Sequence, residues 1–315
     1  MMRVGVIGCG AFGQHHVRNF SEMEDVELVG VADVDAVQLH AMKERFGATT
    51  YSDYSQLLRC DLDAVTVAVP TRVHQKVVLD ALKKGIHVLV EKPIASSLEE
   101  GREMIITAER EGKKLMVGHV TRFEPTVARL KEMIHKGDLG DVVSLSAKRV
   151  GPYHPRIRDV GIIIDLGVHD IDIISYLYQE QAQKIMAAGG RTIHPVHEFE
   201  DYASILMVFK SNKSGLIDAN WLSPHKIRKL TAVGTKSIVD IDYLKNSLTN
   251  YDSHWIRDAK IESSEPLRTE LRAFITSIKE DTPVPISGEE GLYNLRVALA
   301  AIKSYKEGRE VSLNE

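Results

Sequence analysis

Through the first 120 residues, short apolar runs rich in β-branched side chains alternate with amphipathic stretches. Residues 4–7, 27–32, 64–69, 87–90 and 115–117 are mostly apolar on both faces, the pattern of parallel strands covered on two sides. Between them, apolar positions recur at helical spacing over about 12–20, 36–46, 73–84 and 98–111. Gly47, Gly85 and Gly112 close three of these stretches, where a helix C-cap glycine is expected. The repeated β-α rhythm predicts an α/β fold: a doubly wound parallel sheet with helices on both faces.

After Val120 the rhythm changes. The pattern predicts a helix at 125–135, a strand at 142–149, a Pro-containing loop at 151–159 and a very apolar helix at 160–178. From 185 to 251 it becomes antiparallel. Strands 202–210 and 216–221 flank Ser211-Asn212-Lys213-Ser214-Gly215, and 230–233 and 237–241 flank Gly234-Thr235-Lys236, which reads as two hairpins. Helices at 267–280 and 289–306 finish the chain. At 315 residues two domains are expected. The change of rhythm divides the chain into two domains, 1–118 and 119–315.

Composition narrows the partners. With 43% hydrophobic and 27% charged residues the chain is that of an ordinary globular protein, which excludes disorder. The 40 basic and 44 acidic residues balance to −4, which excludes a nucleic-acid coat. No run of 18 apolar residues is present, so no membrane partner is expected. Cys9 and Cys60 cannot build a disulfide framework or a zinc-thiolate site. The N-terminus leads straight into a strand, and the expected location is the cytoplasm.

The chemistry begins with Gly8-Cys9-Gly10-Ala11-Phe12-Gly13, a G-x-G-x-x-G directly after the first strand and at the opening of the first helix. Its glycines allow a tight turn, approach of a pyrophosphate to the backbone, and close helix-sheet packing. Asp33 lies 20 residues beyond Gly13 at the end of the second strand, where a carboxylate bonds ribose hydroxyls and repels a 2'-phosphate. The cofactor is therefore NAD. NADP is disfavoured further because Val34 brings no arginine.

Two later strand ends also carry polar residues, where such a sheet binds ligands. Pro70, Thr71 and His74 follow one strand, and Glu91-Lys92-Pro93 follows another. The apolar helix at 160–178 carries Asp165, His169, Asp172 and Tyr176 at spacings of four, three and four, on one face. A polar stripe on a helix fit for burial must find partners or do chemistry, because isolated buried charges are costly. Asp165 and His169 stand at metal-ligand spacing as well, but no third ligand is identifiable and no metal is assigned.

Together, the glycine loop, Glu91-Lys92-Pro93 and Asp165-x-Gly167-x-His169-x-x-Asp172 resemble the glucose-fructose oxidoreductase, inositol dehydrogenase and rhizopine catabolism family of NAD(P)-dependent sugar oxidoreductases. The resemblance spans essentially the whole chain. It implies an N-terminal Rossmann domain and a C-terminal α/β domain with an open, mostly antiparallel sheet. That sheet often forms the oligomer interface, so a homodimer or homotetramer is expected. By the same resemblance, Lys92, Asp165 and His169 are the catalytic constellation. Cofactor contacts are expected from Gly8, Gly10, Ala11, Phe12, Gly13, Asp33, Pro70, Thr71, His74, Glu91 and Lys92. The chain departs from the family at Gly161-Ile162-Ile163-Ile164, where a glycine-rich run often precedes the aspartate.

In such a reaction a sugar secondary hydroxyl loses a proton to a base and a hydride to NAD. Histidine ionises near neutrality, which makes His169 the expected base, while Lys92 would stabilise the developing alkoxide and Asp165 would fix the sugar hydroxyl or the imidazole. The substrate clue is the segment 148–159, with Lys148, Arg149, Arg156 and Arg158 against Asp159, a charge of +3 just before the apolar helix. Arginines there suit phosphate or carboxylate. Together with Val117-Gly118-His119-Val120-Thr121-Arg122-Phe123, this stretch is similar to the branch of the family that oxidises UDP-N-acetylglucosamine at C3. His119 and Arg122 join the expected substrate contacts at the interdomain cleft. The alternatives are a dehydrogenase of a free or phosphorylated sugar or inositol, and a non-catalytic NAD(H)-binding sensor or assembly subunit.

Overall fold

The structure is a computed structural model that describes residues 1–154, 160–192 and 199–313. Its first sheet is built from β1 (Met2–Ile7), β2 (Val26–Ala32), β3 (Thr50–Tyr51), β4 (Ala64–Val67), β5 (His87–Glu91) and β6 (Leu115–Gly118). The order is β3-β2-β1-β4-β5-β6, and every pairing is parallel. This is the expected Rossmann arrangement, with its topological switch between β1 and β4. The helices α1 (Gly13–Ser21), α2 (Ala36–Phe46), α3 (Tyr54–Leu57), α4 (His74–Leu82) and α5 (Leu98–Arg110) connect the strands. Val4, Val65, Val88 and Val117 are wholly buried, as strands covered on both faces require. The pattern missed β3 and α3, which are too short to show a period.

The rest of the chain forms α6 (Pro125–His135), β7 (Val142–Pro152), a π-helical turn at Ile163–Gly167, and α7 (Val168–Tyr178). Then come β8 (Ala182–Gly190), β9 (Tyr202–Phe209), β10 (Ser214–Asn220), β11 (Leu222–Gly234), β12 (Ser237–Asp242), β13 (Ser247–Asp252) and β14 (Ile256–Ala259). The chain ends through α8 (Pro266–Lys279), α9 (Gly288–Glu307) and β15 (Val311–Ser312). The second sheet runs β14-β13-β12-β11-β7-β10-β9-β8-β15 and is antiparallel except where β7 pairs with β10. Both expected hairpins, β9-β10 and β11-β12, are present.

Side chains on this second sheet alternate. Ala203, Ile205, Met207 and Phe209 of β9 are buried on the inner face, and Gly215 of β10 lies against Ile174 of α7. The outer face exposes Met186, Leu216 and Ile238.

The chain divides into two units: residues 1–120 with 265–295, and 121–264 with 296–315. A single cut after 118 had placed all later residues together; α8 instead belongs with the first unit. The apolar face of α8, Leu271, Phe274 and Ile275, is buried, and Arg272 and Lys279 both pair with Asp25. Among the described residues, no helix is long and apolar enough to cross a membrane.

Candidate active site

At the carboxyl end of β1 the chain turns through Gly8 at φ +94°, where a side chain would also meet the Ala68 carbonyl at 2.4 Å. A Cβ on Gly13 would lie 1.9 Å from the Gly8 oxygen, so the first turn of α1 can sit this close only without one. Gly10 faces open space. No side chain caps α1. Ala11 and Phe12 are exposed beside the loop.

Asp33 accepts hydrogen bonds from the amides of Cys9 at 2.6 Å and Asp35 at 2.9 Å. Its two oxygens keep lone pairs for further donors. A cavity of about 500 Å³ opens here, lined by Gly8, Gly10, Asp33, Pro70, Arg72 and Lys76 among others. An open glycine, an uncapped helix terminus and a strand-end carboxylate fit a dinucleotide. Thr71 lies in a 3-10 turn beside the cavity without lining it. Arg72 and Lys76 escaped the sequence reading, although both sit just beyond the Pro70-Thr71 pair. Burial pushes the Cys9 thiol up to about 12, which keeps it protonated.

Lys92 is half-buried between two buried histidines that grip its neighbours. His16 of α1 meets Glu91 at 3.0 Å, and Gly118 of β6 is so close that a Cβ there would lie 2.8 Å from the same carboxylate. His74 places Nδ1 3.0 Å from the Pro93 carbonyl and Nε2 2.9 Å from the Val69 carbonyl. Burial lowers its pKa from the usual range. Glu91 and His74, expected as cofactor contacts, thus form the frame that carries Lys92. The reason is depth, since both side chains point into the first unit.

In the second unit, the expected single helix begins as a π turn. Gly161 makes room for Glu200, whose carboxylate accepts from the Ile163 amide at 3.1 Å and whose carbonyl accepts from Ile162. Glu200 is buried, and burial raises its pKa. It fixes the entry to the turn that carries half-buried Asp165. His169 follows on α7 with Nδ1 3.2 Å from the Thr121 hydroxyl. Neither Glu200 nor Thr121 stood out in the sequence, because each acts on a segment about 40 residues away.

The other acids of α7 are engaged. Asp172 takes a forked contact from Arg122, with Nε at 2.8 Å and Nη2 at 2.6 Å, and the guanidinium lies 4.9 Å from the Tyr176 ring. Asp170 takes the same fork from Arg149, both bonds at 2.8 Å. All four ionic partners are buried. Arg122 and Arg149, expected to meet substrate, are each engaged in one of these buried ion pairs. Lys148 points to the opposite face of β7 and pairs with Asp218 at 3.6 Å. Arg156 and Arg158 lie outside the described residues. His119 is buried, with Nε2 3.4 Å from the Asn294 amide.

Two family models match the chain: the oxidoreductase family with an NAD-binding Rossmann fold over residues 2–119, and the GFO/IDH/MocA C-terminal domain over 127–240. The chain belongs to the GFO/IDH/MocA oxidoreductases. Residues 2–119 are accordingly its NAD-binding domain. Within this family the chain is similar to myo-inositol 2-dehydrogenase of Thermotoga maritima, at 28% identity over 100% of this chain and 99% of the relative. It is similar also to UDP-N-acetylglucosamine 3-dehydrogenase of Acidithiobacillus ferrooxidans, at 26% identity over 95% of each chain. A solved structure of the latter enzyme superposes with a TM-score of 0.88 at 25% identity, covering 97% of this chain and 98% of that one.

Proposed function

We propose that this oxidoreductase removes hydride from a secondary ring hydroxyl of a sugar or cyclitol, with Lys92, Asp165 and His169 as its catalytic side chains. The observation that supports this reading is the set of polar side chains on α7 and its leading turn: half-buried Asp165, His169 with Nδ1 beside the Thr121 hydroxyl, and Asp170 and Asp172 held by arginines. NAD, when bound, supplies the hydride acceptor. If Nδ1–H of His169 donates to Thr121, Nε2 carries the lone pair that accepts the hydroxyl proton. The Lys92 ammonium stabilises the oxygen as it becomes negative, and Asp165 holds the substrate hydroxyl.

The preferred substrate in this proposal is UDP-N-acetylglucosamine, oxidised at C3, on the strength of the likeness to the Acidithiobacillus enzyme. The likeness to the Thermotoga inositol enzyme supports a neutral cyclitol as second reading, as does the engagement of Lys148 and Arg149 within the protein. NADH formation with UDP-N-acetylglucosamine, myo-inositol and glucose decides between them. Lys92→Ala and His169→Ala are each expected to lower turnover about 10²- to 10⁴-fold while NADH binding persists. Full turnover in either variant overturns the assignment. The outer face of the second sheet, with Met186, Leu216 and Ile238, is the proposed homo-oligomer surface, and light scattering that shows only monomer removes it.

A further inference from the structure

Arg149 of β7 and Arg228 of β11 stand directly opposite each other in the antiparallel register, so their side chains share the inner face of the second sheet. Two like charges in cross-strand positions are unfavourable unless each finds an anion. One carboxylate, Asp170, answers Arg149 with two hydrogen bonds at 2.8 Å. Among the described residues, Arg228 has no such partner. Its guanidinium is half-buried and donates one long hydrogen bond, 3.4 Å, to the Val150 carbonyl. Asp165 of the π turn is near enough to act on it electrostatically, as are Arg149 and Asp170. Burial, with the repulsion of Arg149, lowers its pKa to about 10, so it stays cationic at neutral pH.

A partly desolvated guanidinium that lacks a carboxylate fork among the described residues, beside an acid proposed for catalysis, is poorly satisfied by those residues alone. Guanidinium geometry matches a phosphate or carboxylate with two parallel donors. We infer that Arg228 receives an anionic group of the substrate, a phosphate or a carboxylate, and so selects charged sugars over neutral polyols. This rests on the proposed role of Asp165 in sugar binding and names the substrate class for that site. It also relocates the anion contact that the segment 148–159 suggested, from Arg149 to its cross-strand neighbour.

The test is calorimetric titration of the NADH complex with two matched pairs: UDP-N-acetylglucosamine against N-acetylglucosamine, and glucuronate against glucose. In the wild type, at least one anionic member is expected to bind about 10- to 100-fold tighter than its neutral partner, the range of a charge-assisted contact. The pair that shows the preference tells diphosphate from carboxylate. Arg228→Gln should abolish the preference and Arg228→Lys should keep part of it, because the charge remains while the fork is lost. Arg228→Gln should also melt no lower than the wild type, since it removes repulsion with Arg149. Absence of any anionic preference in the wild type, its persistence in Arg228→Gln, or a clearly lower melting temperature of that variant overturns the inference. Failure of every sugar to reduce NAD, with the Arg228-dependent preference intact, would instead overturn the proposed reaction.

Discussion

The glycine loop after β1 and the π turn with α7, the two regions proposed to carry the chemistry of this protein, are built by different means. The loop works through backbone: Gly8 supplies a turn at φ +94°, Gly13 a close approach, and Asp33 ties down the Cys9 amide. Nothing in it depends on a distant choice between equivalent side chains. The helix region works through side-chain partnership. Asp165, Asp170 and Asp172 lie within eight residues, and two of them are neutralised by arginines 21 and 50 positions away. Backbone chemistry is local and can be read from spacing; the duty of a carboxylate depends on what the fold brings to it.

The largest effect should come from Gly13→Ala. Its methyl group has no space against the Gly8 carbonyl, so saturable NADH binding, followed by fluorescence titration, is expected to vanish. Normal binding would break the distinction, because the loop would then tolerate what its backbone forbids.

Next come the acids. Asp170→Ala and Asp172→Ala each strand a buried guanidinium, and urea unfolding should show losses of about 3–5 kcal/mol. Asp165→Asn should cost less than about 1 kcal/mol, within the range of an isosteric change at a half-buried site, yet impair turnover. Equal stability losses at all three positions would merge the two roles that the proposed function separates.

A smaller shift is expected at Asp33. Arg72 and Lys76 already line the cavity beside it, so Asp33→Asn should remove repulsion and raise NADPH affinity relative to NADH by about tenfold, one charge-assisted contact. An unchanged NADPH-to-NADH ratio would mean that Asp33 serves only the Cys9 and Asp35 amides.

The mildest effect lies away from both regions. Burial, with Lys113 and Lys114 nearby, lowers His87 from 6.5 to about 4, and its Nδ1 accepts from the Lys114 amide. The unfolded chain binds this proton as pH falls through 6.5, while the folded chain resists it until about 4. Stability should therefore fall with pH across that window. Melting curves of His87→Gln should be flatter there, and an unaltered slope would remove His87 from the acid response.

Much of the fold was legible in the pattern. The helices at 36–46 and 125–135 have the expected bounds, and both hairpins and the parallel sheet are present. What the pattern missed has physical causes. A two-residue edge strand has no period to detect, and the π turn at Ile163–Gly167 looks like helix because its residues are apolar on every side. Helix α8 carries an ordinary apolar face, and only packing shows that this face belongs with the first unit.

The candidate site divides along the same line. Alternation along β7 sends Lys148 outward and Arg149 inward, so two adjacent cations that looked alike acquire different partners. Arg228 had no motif around it, and its place opposite Arg149 follows from strand register. Glu200 and Thr121 are ordinary residues until the chain returns them to the π turn and to His169.

By itself, the sequence determined the β-α rhythm, the glycine loop with Asp33, and the motifs that carry Lys92, Asp165 and His169. These are properties of neighbouring residues, governed by backbone sterics and by periods of two and 3.6. Tertiary structure decided which partner each charge meets. That choice is set by burial and by partners far away in sequence, because in a low-dielectric interior a charge must be matched by a neighbour that only folding supplies.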